Sequence, residues 1–188
     1  MGDAGLTIKA DAFLLRTLGM DDAERLLAYR IDNRRHLEPF EPARTDDYFT
    51  LHAQRDVLRQ SAIDWAEDIG YSFGLFGLDD DRLIGRISLS NVSRGPWQNA
   101  TIGYGMDYRY AGRGCMTEAV KLVIRFAFGQ LGLHRVQAGI MPRNTASIRV
   151  VEKAGLRREG LSPRYVKING VWEDHAIYAI TIEETPYG

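Results

Sequence analysis

The sequence predicts a mixed α/β layer, with one central sheet of about seven strands flanked by about four helices. Three observations carry that prediction. Short stretches such as Ile102, Tyr104 and Met106 alternate in the manner of a strand. Longer ones, such as Ala119, Leu122, Val123, Phe126 and Ala127, place apolar residues at helical spacing. The two kinds interleave without internal repeat or low-complexity segment, which suits a sheet with helices laid on it. A chain of 188 residues with 45% hydrophobic content is long enough to bury a core of its own. One domain over residues 1–188 is expected, with its core between about 12 and 182.

In order, residues 1–5 read as a loose end and residues 13–18 as a first strand. Asp21 or Asp22 is placed to cap a helix carrying Ala23, Leu26, Leu27 and Ile31. Residues 33–42 contain Pro39 and Pro42, which forbid a continuing helix and leave charged and aromatic side chains on a loop. That loop reads either as a solvated connector or as the wall of a substrate site. From Asp46 or Asp47 a longer helix is marked by Leu51, Leu58, Ala62, Trp65 and Ile69, closed by Gly70. Strands follow at 71–78, 83–90 and 100–106, short and consecutive, so they are expected to pair antiparallel. A helix over 115–130, a strand over 135–141 and a short helix opened by Pro142, Arg143 and Asn144 come next. Strands at 156–167 and 171–182 flank Asn169–Gly170, a strong hairpin marker. The predicted order is β-α-α-β-β-β-α-β-α-β-β.

Charge narrows the function. Lysine and arginine total 24 against 25 aspartates and glutamates, and the two signs are interspersed. No basic stripe exists for unaided binding to nucleic acid or an anionic membrane surface, and neither partner is expected. No apolar run has the length of a membrane span, and the N-terminus lacks a secretory pattern. The one cysteine, Cys115, excludes an internal disulfide and suits a cytoplasmic chain. With no partner base in its motif it reads as a small residue in a tight loop. No metal is expected.

The stretch from Arg109 through Gly112 and Gly114 to Glu118 lies where a strand meets the first turn of an amphipathic helix. The first helical N–H groups have no intrahelical partner, glycines admit close approach to that backbone, and the helix dipole adds positive potential. Arg109 and Arg113 add full charges. A phosphate or pyrophosphate fits such a turn, and a purely structural strand-to-helix turn is the other reading.

This R-x-x-G-x-G pattern resembles the coenzyme A pyrophosphate loop of the GCN5-related N-acetyltransferases (GNAT). A second motif of that family resembles residues 144–156, written N-x-x-S-x-x-V-x-E-K-x-G-[FL]. Residues 33–42, 90–95 and 168–175 resemble the RimJ/RimL branch, the ribosomal-protein alanine N-acetyltransferases, and its RimJ type most. The likeness runs from about residue 12 to 182 and implies the GNAT form of the predicted sheet.

The resemblance implies acetyl-CoA as co-substrate. Its pyrophosphate would lie among Arg109, Tyr110, Ala111, Gly112, Arg113, Gly114, Cys115 and Met116, mostly on backbone N–H groups. Gly105 and Met106 would pair with the pantetheine arm from one side and Asn144 from the other. Asn144 also reads as a helix cap, and one residue can hold both roles. Glu118 reads as a first-turn dipole partner or hydrogen-bonder rather than a catalyst. Ser147 is the candidate proton donor to the departing thiolate, with a mere capping role as its alternative.

A general base is less evident. The two places where relatives carry a glutamate correspond to Gly139 and Val166. Glu41 or His36 on the proline loop, His175 on the last strand, or water alone remain. An α-amine, with pKa about 8 against about 10.4 for lysine, is roughly one-tenth neutral at pH 7 and needs little help. The implied acceptor is therefore an α-amine, as at a ribosomal protein's N-terminus. A small amine such as an antibiotic or polyamine is the first alternative, and a catalytically silent acyl-CoA-binding module the second. A homodimer is compatible with the resemblance, and the natural acyl group is open between acetyl and longer ones.

Overall fold

The structure, a computed structural model, describes residues 6–185, so the loose end expected at residues 1–5 lies outside it. Its strands are β1 (Thr7–Lys9), β2 (Leu14–Thr17), β3 (Tyr71–Phe76), β4 (Leu83–Ser93), β5 (Asn99–Met106), β6 (Arg135–Ile140), β7 (Arg157–Ile168) and β8 (Val171–Thr181). They form a single mixed sheet in the order β1-β2-β3-β4-β5-β6-β8-β7. Its helices are α1 (Ala23–Asp32), α2 (Arg34–Leu37), α3 (Leu51–Ala66), α4 (Cys115–Gly129) and α5 (Thr145–Lys153). The predicted α/β order holds, with two additions. The edge strand β1 has three residues, too few to show alternation, and α2 is one turn within the proline loop.

That loop behaves as its prolines demand. The α-helical turn stops at Leu37, and Pro39 sits in the first turn of a 3-10 segment, Glu38–Phe40, where its missing N–H costs nothing. Two helix limits differ from expectation. Helix α3 begins after Thr50, whose hydroxyl accepts from the Ala53 N–H at 3.3 Å, while Asp46–Phe49 forms a separate 3-10 turn. It ends at Ala66, because Asp68 already takes the left-handed conformation (φ 57°) that was expected of the terminator Gly70. Ile69 consequently lies outside the helix and is exposed.

The apolar side of α4 packs Ala119, Val120, Val123, Phe126 and Ala127 against the sheet. Each fully buried large side chain there stabilises the fold by about 1.5–3 kcal/mol. Trp65 of α3 meets Tyr71 and Phe73 edge-on, with centroids 4.7 and 5.5 Å apart, and ties that helix to the same core. A smaller cluster of Leu18, Leu26, Tyr29, Leu58, Phe76 and Leu83 seats α1.

Strand β5 positions the site. It pairs antiparallel with β4 as far as Gly85↔Met106, but parallel with β6 only at Asn99↔Arg135, Ala100↔Val136 and Thr101↔Gln137. Beyond Thr101 the two strands part, and β6 continues in pairing with β8. The β5 edge from residue 102 to 106 thus faces a wedge in the sheet.

Candidate functional site

Side chains on β5 alternate across this wedge. On one face Met106 packs with Gly85 near Met116 of α4, and a Cβ on Gly85 would lie 2.9 Å from the Met106 sulfur. On the other, a Cβ on Gly105 would lie 3.0 Å from the Tyr29 hydroxyl of α1 and 3.4 Å from Leu37 of α2. Gly105 therefore lets the helical lid lie close to the strand edge, where any larger residue would lift it away.

The glycine loop continues from β5. Asp107 is fully buried and caps the 3-10 turn Tyr108–Tyr110 by accepting from the Arg109 N–H at 2.9 Å. It also accepts from Arg109 Nε at 2.8 Å and from Asn33 Nδ2 at 3.3 Å, while Asn33 Oδ1 accepts from the Tyr108 N–H at 3.0 Å. Burial alone would raise the Asp107 pKa. The hydrogen bonds from Arg109 and Asn33 outweigh it and hold the carboxyl below its usual range.

The Arg109 guanidinium is thus engaged by Asp107 and, at 3.0 Å, by Asp32. Arg113 is exposed and lies over the Tyr110 ring at 5.1 Å. Ala111, Gly112, Arg113 and Gly114 are exposed, with Gly112 (φ 77°) and Gly114 (φ 84°) left-handed, a shape that favours glycine. Cys115 and Met116 are buried at the start of α4. Among the described residues none accepts from the amides of Gly112, Arg113 or Gly114. The first helical bond runs from the Glu118 N–H to the Gly114 carbonyl at 3.1 Å, so the amides of residues 115–117 also point outward. Glu118 stands in that first turn and pairs with Arg125. Six successive donors are thus left unpaired on an exposed turn, an arrangement able to bind an anion.

Across the wedge, Asn144 caps α5, its Oδ1 accepting from the Ser147 N–H at 3.1 Å. The capping expectation therefore holds, and no described residue accepts from its Nδ2. Ser147 Oγ donates to the Tyr104 hydroxyl at 2.9 Å, and that hydroxyl donates to the Ser147 carbonyl at 2.9 Å. Burial raises the Tyr104 pKa against the opposing effect of Ser147, keeping the phenol neutral.

The base candidates are not brought together. Glu41 is half-buried and both its oxygens accept from one nitrogen of Arg30, at 3.0 and 3.1 Å. His36 is exposed, 6.3 Å from the Tyr108 ring. His175 is buried on β8 with Nδ1 3.0 Å from the Glu173 carbonyl, which can only accept, so Nδ1 is the donor. At Gly139, a Cβ would lie 3.2 Å from the Tyr165 ring, which covers the place where a β6 carboxylate would emerge.

The proline loop is tied down on one side of the wedge. Arg143 donates to the Pro39 carbonyl at 3.0 Å and pairs with Glu173 at 2.7 Å, and Asn169 donates to the Glu38 carbonyl at 2.8 Å. These bonds bind residues 34–42 to both the β6–α5 turn and the β7–β8 hairpin. A cavity beneath is lined by Arg30, Arg34, Leu37, Glu41, Arg44 and Tyr48, among others. Arg86 of β4, the cross-strand partner of Gly105, borders the same groups. Burial, and then Arg30, push its pKa down to about 10, so it remains a cation at neutral pH.

Asp107, Asn33, Tyr104 and Arg86 were not singled out from the sequence. Only Asp107 carried a signal, as the acidic residue just before the arginine–glycine motif.

The acetyltransferase (GNAT) domain model matches residues 13–157. The probable N-acetyltransferase YjcK of Bacillus subtilis (strain 168) is 47% identical over 173 residues, covering 92% of this chain and 96% of that protein. The [ribosomal protein uS5]-alanine N-acetyltransferase of Escherichia coli (strain K12) is 31% identical over 174 residues, covering 93% of this chain and 90% of that protein. Mycobacterium smegmatis RimJ, solved in complex with CoA-disulfide, superposes with a TM-score of 0.89 at 29% identity, covering 98% of this chain and 90% of the other. An open strand edge, a turn of unpaired amides and a family match over most of its length lead to one conclusion: the chain belongs to the GNAT family of acetyl-CoA-dependent N-acetyltransferases.

Proposed function

We propose that this enzyme acetylates the α-amine of a protein N-terminus, of the class that ribosomal proteins present. The observation that carries the reading is the covered position at Gly139. With the Tyr165 ring 3.2 Å from any Cβ there, no carboxylate reaches the wedge from β6 to deprotonate a lysine. An α-amine, about one-tenth neutral at pH 7, needs no such base. The similarity to the uS5-alanine enzyme supports the same acceptor. A polyamine fits less well, because Arg30, Arg34 and Arg44 stand against Glu38 and Glu41 in the cavity wall.

Acetyl-CoA supplies the activated acetyl group as a thioester. In this reading the amides of residues 112–117 hold its pyrophosphate, with Arg113 supplying side-chain charge. Arg109 acts through Asp107, by fixing the turn. Tyr110, Ala111, Cys115 and Met116 shape the cradle, while Gly105 and Met106 offer the open β5 edge and Asn144 its Nδ2 to the amide-bearing arm. Ser147 Oγ turns from Tyr104 to give its proton to the leaving sulfur, and the proton that the acetylated amine loses as the amide forms restores the serine hydroxyl. His36, Glu41 and His175 take no required part. The fit rests on donors without acceptors, and on a strand edge without a partner, among the described residues. The reading places one acetyltransferase domain in the cytoplasm, and no described helix is long and apolar enough to cross a membrane.

The test is thiol release when the enzyme meets acetyl-CoA and a panel of N-terminal peptides, polyamines and aminoglycosides. Release with peptides is expected. Release confined to the small amines would overturn the acceptor assignment.

A further inference from the structure

Tyr29, Arg30 and Arg86 leave buried polar atoms without a partner on the acceptor side of Gly105. We infer that this pocket takes a carboxylate, or an equivalent anionic oxygen group, which the acceptor carries close to its amine. The inference rests on the acetyl-transfer reading of the site above and names the acceptor's chemistry more narrowly.

Three atoms carry it. The Tyr29 hydroxyl, Arg30 Nε and Arg86 Nε are all shielded from solvent and hydrogen-bonded to nothing among the described residues. Leaving a buried donor unmade costs far more than an exposed one, so native structures rarely keep several together without a purpose. Their placement is also specific. The Tyr29 hydroxyl stands 3.0 Å from the position of a Gly105 Cβ, and Arg86 is the register partner of Gly105 across β4 and β5. The orphaned groups therefore border the strand edge at which the acetyl group is delivered.

Charge points the same way. Two guanidinium groups, Arg30 and Arg86, act on one another here, and the carboxylate that acts on both, Glu41, is already bound to Arg30 at 3.0 Å, while Asp107 beside Tyr29 is held by Arg109 and Asn33. Burial pushes the Tyr29 phenol up, so it stays neutral and adds no negative charge. Asp46 is already paired with Arg34 of the cavity wall, at 2.9 Å. Arg86 itself makes no hydrogen bond or ion pair with any described residue. The inner pocket is one positive charge in excess, in a setting where an unpaired charge is costly. An arriving carboxylate completes it, and a guanidinium fork is the group best shaped to hold one.

Two sources can bring that chemistry: an acidic side chain within the first residues of a peptide, or the α-carboxylate of a free amino acid. The experiment measures kcat/KM with acetyl-CoA for peptides bearing Glu or Gln at positions one, two and three, and for alanine against alaninamide. In the wild type we expect the acid to exceed its amide by about 10- to 100-fold in one arm, the scale of a charged hydrogen bond made or left unmade. A peptide preference assigns the side chain, and an alanine preference assigns the α-carboxylate. In Arg86→Met the preference should vanish, and in Tyr29→Phe it should narrow, with acetyl-CoA affinity unchanged in both. Should Arg86→Met not fold, Arg86→Lys replaces it and should narrow the preference by losing the fork. Equal rates for acid and amide in both arms, or a preference that survives at Arg86, would overturn the inference while leaving acetyl transfer intact. If nothing is acetylated, thermal stabilisation by the acidic peptides with coenzyme A present decides the matter. Stabilisation of the wild type but not of the Arg86 variant upholds the pocket and sinks the transfer reading, and none at all sinks both.

Discussion

The Ser147 hydroxyl donates to the hydroxyl of Tyr104 at 2.9 Å, so the candidate proton donor on α5 rests against a residue on the opposite side of the wedge and turns from it to reach a leaving sulfur. Because the Tyr104 hydroxyl spends its own proton on the Ser147 carbonyl, at 2.9 Å, its oxygen is free to accept the serine proton at rest. Ser147→Ala should lower kcat by about 100-fold, toward the lower end of general acid catalysis, since a thiolate leaves readily. Tyr104→Phe should cost about five- to tenfold, the worth of one neutral hydrogen bond. Steady-state kinetics check both. A KM for acetyl-CoA that rises while kcat stays constant would show that the pair holds the donor rather than acting in transfer.

Gly112→Glu should reduce acetyl-CoA affinity by at least about 100-fold, through a left-handed backbone (φ 77°) and a carboxylate set among anion-binding amides. Packing is not the cause, because a Cβ there meets nothing within 4 Å. Gly112→Ala, which carries the same strain without the charge, should retain most of the affinity. Calorimetric titration with coenzyme A distinguishes them. Equal losses in the two variants would remove the electrostatic part of the argument.

Asp107→Asn should destabilise the protein by about 2–3 kcal/mol at pH 7, because it removes the charge that Arg109 and Asn33 surround in a buried position. The pH dependence has a definite sign. The folded pKa lies below the unfolded value of about 3.9, so the contribution is complete above that value and is lost as pH falls through the folded pKa. Thermal melts of wild type and variant should therefore differ by a constant amount from pH 7 to pH 5 and converge below about pH 4. A gap that widens on acidification would contradict the assignment.

Much of this was legible because certain residues dictate local shape. Asn169 (φ 48°) and Gly170 (φ 86°) take the left-handed conformations that an Asn–Gly hairpin requires, and the hairpin is where the sequence puts it. The glycines at 112 and 114 likewise mark the strand-to-helix cradle. What the sequence hid is long-range. Asn33 reaches Asp107 across 74 positions, and Tyr104 reaches Ser147 across 43, with no local pattern to announce either bond. The end of α3 was misplaced for a related reason. A left-handed terminator is usually glycine, yet Asp68 takes that conformation and pairs with Arg94, a contact that depends on the folded sheet. Arg86 shows the limit most clearly. In the sequence it is an ordinary charged residue in a strand, and only the register with Gly105 reveals a cation facing inward.

The most direct test of the account uses one peptide that begins with alanine and contains an internal lysine, incubated with enzyme and acetyl-CoA and sequenced by tandem mass spectrometry. The account predicts a single added acetyl group on the alanine α-amine, lost in Ser147→Ala at early times. Acetyl on the lysine with a free α-amine would contradict it.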